Sequence, residues 1–113
     1  MSGTDASAVP PVAEMSARKV LLKAALWLEK HRKCRGAFAK NKQGQIRSPD
    51  EPDVVACCAA GALRIVAPRE WRAAKHLLMS NVGCDSLYRW SDRSGKRTVI
   101  AAMRRAARRS PRG

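Results

Sequence analysis

VVACCAAGALRIVA, residues 54–67, carries one charge, Arg64, in an otherwise apolar run. Wound as a helix it has no polar face, and such a helix sits in the middle of a domain. Ala56, Ala59, Ala60 and Gly61 would let neighbouring backbones approach closely, with Gly61 permitting a tight helix crossing. Asp53 precedes the run as a natural N-cap, and Asp50 and Glu51 of SPDEPD (48–53) suit the positive end of a helix. This reading sets the fold class: mainly α, a compact bundle of about four helices built around the 54–67 segment.

Outward from that centre, MSARKVLLKAALWLEKHRK (15–33) predicts a helix from about Ala13 to Lys33. Ala17, Val20, Leu21, Ala24, Trp27 and Leu28 share its apolar face. Leu22 and Leu26, an i,i+4 pair, fall outside that stripe, and cover by the following loop is expected. AFAKNKQGQIRS (37–48) places Phe38 and Ile46 around a turn, which leaves room for a short β-hairpin between the first and second helices. Pro68 restarts the chain as a first helical position, with Trp71, Ala74, Leu77 and Leu78 facing inward. VGCDSLYRWSDRSGK (82–96) reads as a long connection anchored by Leu87, Tyr88 and Trp90.

A last helix starts near Thr98, a good N-cap. Val99, Ile100, Met103, Ala106 and Ala107 fall within about 120° of one another. Arg104, Arg105, Arg108 and Arg109 fill much of the opposite arc, with Arg97 aligned just before the cap. The expected organisation is a disordered leader over 1–13, one helical domain over 14–109 and a frayed basic tail over 110–113.

Charge sets the partner class. Lysine and arginine number 23 against 9 acids, a formal +14 in 113 residues. That excess favours polyanions, of which nucleic acid is the commonest inside cells. The expected contacts are Arg97, Arg104, Arg105, Arg108 and Arg109 on the last helix, joined by Arg18, Lys19 and Lys23 on the first. Arginine forks match phosphate geometry. No recognition-helix pattern for reading bases is present, so backbone contact is expected. Aromatics, at 4% of the chain, are too few for a single-strand stacking platform. An acidic protein surface is the other polyanion such a face fits.

Other chemistries have less support. His31, Cys34, Cys57, Cys58 and Cys84 could in principle supply zinc ligands, but no paired C-x-x-C knuckle is present. Adjacent helical residues also point about 100° apart, so Cys57 and Cys58 are poorly placed to share one ion. Cys58 with His76 is conceivable as a nucleophile–base pair, yet no oxyanion loop accompanies it and a buried thiol is inert. Phosphate-loop and dinucleotide motifs are absent. No metal, cofactor or enzymatic activity is expected. MSGTDASAVPPVAEM (1–15) lacks a secretory pattern, no apolar run reaches the roughly 18 residues of a membrane span, and reduced thiols point to the cytoplasm.

RGAFAKNKQG (35–44), CAAGALRIV (58–66) and YRWSDRSGKRTVIAAMRRA (88–106) together resemble a family of small uncharacterised domains from bacteria and their viruses. The likeness spans about residues 20–107 and rests on a C-x-x-G-A-L helix, then a W-N-D segment leading to R-T and a final helix. Ser91 stands where that pattern has asparagine, and the last helix carries more arginine. The resemblance implies no activity and no site residues. It does imply scaffolding: Trp90 against the alanine-rich helix, and Asp92 accepting from backbone amides or from Arg97.

The combined reading is a small basic accessory protein, phage- or mobile-element-like, that binds nucleic acid or a nucleoprotein complex. Its size and resemblance would suit an inhibitor of a host defence system. The alternative is a protein–protein module acting through Leu22 and Leu26 or the Trp90 loop.

Overall fold

A computed structural model describes residues 9–109, with side chains from Ala17 onward. The chain runs α1 (Val9–Lys30), β1 (Arg32–Lys33), β2 (Ala39–Asn41), β3 (Ile46–Arg47) and β4 (Val54–Cys57). It continues through α2 (Ala59–Val66), α3 (Trp71–Val82), α4 (Leu87–Arg93) and α5 (Lys96–Arg108). Residues 1–8 of the expected leader and the whole expected tail, 110–113, lie outside the described residues. Helix α1 already begins at Val9. Pro10 and Pro11 fall in its first turn, where backbone N–H groups have no intrahelical acceptor to lose. It stops at Lys30 rather than Lys33, because Arg32 and Lys33 pair in parallel with Ala56 and Cys57.

The 54–67 stretch is two elements, not one helix. A short apolar run buried on both sides suits a central strand as well as a helix, and β-branched Val54 and Val55 favour the strand. Strand β4 is interior to the sheet, whose order is β1-β4-β2-β3. It runs parallel to β1 and antiparallel to β2, with a register shift at Lys40/Asn41. Asp53 therefore caps no helix; Cys58 does, its Sγ accepting from the Gly61 N–H at 3.4 Å. The acidic 50–53 segment instead joins a turn in which Arg47 meets Glu51 at 3.5 Å and Asp53 at 3.2 Å.

The bundle of about four helices gives way to five helices, among the described residues, and a four-stranded mixed sheet. The additional helix, α4, lies inside the segment expected to be a connection. Ser86 caps it, accepting from the Arg89 N–H at 3.3 Å. Strands β2 and β3 are the outer half of the sheet and do not stand alone. Asn41, buried, organises the turn between them. Its Oδ1 accepts from the Gln43 and Gln45 amides, and its Nδ2 donates to Gln45 and Asp53.

Helical periodicity placed the core correctly. Ala17, Val20, Leu21, Ala24 and Leu28 of α1 are buried, and Ala25 joins them. They pack chiefly on α5, whose Val99, Ile100, Met103, Ala106 and Ala107 are buried together with Ala102. Leu63 of α2 and Ala74 and Leu78 of α3 close the cluster, with Trp27, Trp71 and Leu77 partly buried at its margin. Several boundaries moved. Helix α3 starts at Trp71 after a turn over 68–70, not at Pro68. Helix α5 starts at Lys96 with Gly95 as N-cap, which leaves Thr98 exposed in its first turn. Leu22 and Leu26 are 49% and 48% exposed, because the chain leaves α1 for the sheet and none of the described residues folds back to bury them.

Candidate functional site

Helix α5 presents the densest charge. Its buried stripe fixes the opposite face, where Arg97, Arg105 and Arg108 are exposed and Arg104 is half-buried; Arg109, the C-cap just past the helix, is exposed as well. Arg104 pairs with Glu29 of α1. Among the described residues, Arg97, Arg105, Arg108 and Arg109 have no acidic partner. Lys96, at the start of the same helix, donates from Nζ to the His31 carbonyl at 2.7 Å. A cation there suits the negative end of α1, and the contact seats α5 across the end of α1.

These contacts line up two recesses. One, of about 410 Å³, lies between α1 and α5 and is lined by Glu29, Lys96, Arg97, Ile100, Ala101 and Arg104. The second, about 280 Å³, shares Lys96 with the first and adds Arg32, Lys33, Arg35, Ser94 and Gly95. Burial, and then the neighbouring Arg35, holds the Lys33 ammonium below the usual lysine range; Asp92 and the nearby thiols pull the other way. A phosphate beside Lys33 would offset both unfavourable influences.

Of the residues singled out from sequence, the structure gathers Arg97 and Arg104 along the α1–α5 groove. Arg105 and Arg108 continue the face along α5, and Arg109 follows at its C-cap. Lys19 and Lys23 stand exposed on α1 and Arg18 is half-buried there. Among the described residues no hydrogen bond or ion pair ties Lys19 or Lys23 to the arginines of α5. Missing from the sequence reading were Arg32, Lys33, Arg35 and Lys96. The run HRKCR (31–35) was the only signal for the first three, and assigning it to the end of α1 concealed that β1 turns it toward Lys96 and α5.

The motif-bearing segments form a hydrogen-bonded support behind this surface. Ser91, fully buried, accepts from the Ala59 N–H at 2.9 Å, so α4 and Cys58 together cap α2. Asp92 accepts from the Gly36 N–H at 3.1 and 3.3 Å, the backbone-amide alternative rather than the Arg97 one. A family model matches residues 13–109, a span that takes in all three segments on which the resemblance rests. The chain belongs to the family of unknown function DUF6197. No curated protein and no solved structure matches it. Membership in DUF6197 thus covers the whole basic surface described above without assigning it a role.

Cysteine chemistry has a structural account in this DUF6197 chain. Burial raises the pKa of Cys34, Cys57 and Cys58 above the usual thiol range. Cys34 Sγ donates to the Ala37 carbonyl at 3.3 Å, while Cys58 caps α2. His76 is exposed on α3, and among the described residues no hydrogen bond joins it to a thiol. No group of three or more His, Cys, Asp or Glu side chains there is arranged to hold a metal ion. No described helix is long and apolar enough to cross a membrane. Reactivity should follow burial. Titration of the native protein with a disulfide reagent near neutral pH is expected to show one fast thiol, Cys84, which is half-exposed. The other three should react only on unfolding. Two or more fast thiols would contradict the buried assignment.

Proposed function

We propose that this chain is a non-enzymatic basic accessory protein that binds nucleic acid, alone or within a nucleoprotein complex, through phosphate contacts. The observation that carries the reading is the α5 face: exposed Arg97, Arg105 and Arg108, with Arg109 at the C-cap, have no acidic partner among the described residues and stand on a helix anchored by its opposite, buried side. A rigid helix pre-organises its guanidinium groups, so less side-chain freedom is lost when each meets a phosphate. The continuation past Lys96 to Arg32, Lys33 and Arg35 gives the surface the length to follow a strand rather than one anion. A cytoplasmic nucleoprotein is the natural partner, and a phage or mobile-element protein of this kind would act by occupying the nucleic-acid path of a host defence complex.

Salt dependence tests this. With about four phosphate contacts, counterion release lowers affinity by roughly a hundredfold between about 50 and about 200 mM salt. Anisotropy titrations of labelled DNA and RNA across that range are expected to give a steep, linear log–log slope. A flat slope sinks the phosphate reading.

A second reading has its own observation, the exposed Leu22 and Leu26 on α1. An apolar protein contact there would be nearly indifferent to salt and would survive nuclease treatment. A partner pull-down with and without nuclease separates the two.

A further inference from the structure

A recess of about 510 Å³ lies beyond Arg35, where Gly36, Ala37 and Phe38 line it together with Ile46, Arg64 and Tyr88. Its size falls within the roughly 300–1,000 Å³ of small-ligand sites. The chain contains one phenylalanine and one tyrosine, and they meet here, ring centroids 5.7 Å apart and tilted by 58°. Phe38 and Ile46 are 40% and 69% exposed at the rim, two of the four large apolar side chains left open to solvent among the described residues. Single exposed apolar residues need no explanation; here two of them share one recess with an aromatic pair.

Arg64 supplies the polar element. Its guanidinium lies 5.5 Å from the centre of the Phe38 ring and 5.3 Å from that of Trp71. Among the described residues it makes no ion pair, whereas the other arginine of the recess, Arg47, is neutralised by Glu51 and Asp53. Two rings hold a forked donor at the edge of an apolar groove, with Asp50 near enough to feel its charge but not in contact as an ion pair. The complementary ligand therefore has a flat apolar body and an anionic group beside it.

The position of the groove narrows the ligand class. Gly36 turns the chain with φ +76°, and its N–H is held by Asp92, on the same helix as Tyr88. That turn leads directly from the cationic recess containing Arg35 into the aromatic one. Cationic groups thus run from Arg104 past Lys96 to Arg35, and the track ends on a pair of rings.

We infer that this recess holds an unstacked base of a single-stranded nucleic acid, with Phe38 and Tyr88 against the base and Arg64 on the adjoining phosphate. The inference rests on the phosphate-binding reading and adds strandedness to it. Duplex DNA or RNA keeps its bases stacked and offers the rings nothing, whereas a single strand presents a π-face whatever its sequence. Aromatics are scarce in the composition, but a platform needs adjacency more than number, and the fold supplies that.

Anisotropy titrations of the full chain at physiological ionic strength test it with three probes: a short thymidine oligonucleotide, the same strand with abasic positions, and a duplex of equal length. Loss of one base–aromatic stack lowers affinity by about tenfold, so the intact strand is expected to bind about that much tighter than the abasic one. Phe38→Leu and Tyr88→Leu are expected to close that gap while leaving duplex binding and the salt slope unchanged. The abasic comparison uses the unaltered protein, so it stands even if a variant folds poorly. Equal binding of intact and abasic strands overturns the inference, as does a gap that survives both substitutions. Steep salt dependence without base discrimination overturns it alone; no binding to any probe overturns the phosphate reading as well. An apolar, acidic peptide displaced by Phe38→Leu, with base discrimination absent, assigns the recess to a protein partner instead.

Discussion

Gly61→Ala is expected to lower stability by about 2–4 kcal/mol, although alanine is the better helix former by about 1 kcal/mol. The reason is at the first turn of α2. A Cβ on Gly61 would stand 2.1 Å from the Phe38 carbonyl oxygen and 3.0 Å from its carbon. Both are backbone atoms, and that same oxygen accepts the Cys58 N–H at 3.1 Å, so it cannot swing away without breaking the bond. Overpacking costs roughly 1–3 kcal/mol, and a buried N–H left without its acceptor costs about the same again. Together these outweigh the propensity gain. For a domain of this size the melting temperature should fall by roughly 10–25 °C. Thermal denaturation followed by circular dichroism reads this directly. A variant that melts at or above the parent would show that Gly61 of α2 is not against the Phe38 backbone as described.

Gly61 also shows where sequence reading reached its limit. A need for close approach was legible from the small residues around it, but the approaching group was expected to be a helix and is the backbone beside β2. The cause is the ambiguity of residues 54–67: an apolar run without periodicity is compatible with a central strand feeding a helix, and a thiol cap leaves no familiar N-cap signal. Where polar and apolar residues alternate with helical period, as in α1 and α5, the buried faces were legible but for Ala25 and Ala102 at their edges. The same holds for the arginines of α5, since the position of the core stripe dictates what lies opposite. Arg32, Lys33 and Arg35 were not legible as a cluster with Lys96, because that depends on Arg32 and Lys33 pairing with β4. Phe38, Arg64 and Tyr88 come from three distant segments, and no local pattern announces their meeting.

Replacing Arg104, Arg105, Arg108 and Arg109 together with glutamine is expected to weaken nucleic-acid binding by about a hundredfold or more at moderate salt and to flatten the salt slope by about 3–4. Glutamine keeps helix propensity close to that of arginine, and the four side chains stand away from the core stripe. Only Arg104 has an acidic partner, Glu29, and an exposed pair of that kind is worth about 0–1 kcal/mol. The melting temperature should therefore hardly move, so lost binding cannot be blamed on lost fold. Val99→Ala with Met103→Ala is the converse: both side chains are fully buried, so the fold should weaken by several kcal/mol, at roughly 1–5 per site. The folded fraction that remains should still bind. The comparison separates the two faces of one helix, the apolar face carrying stability and the basic face carrying affinity. If the four-glutamine variant keeps full affinity for DNA, RNA and every captured partner, the arginines are solvated surface. The exposed leucines of α1 then become the first place to look for the partner.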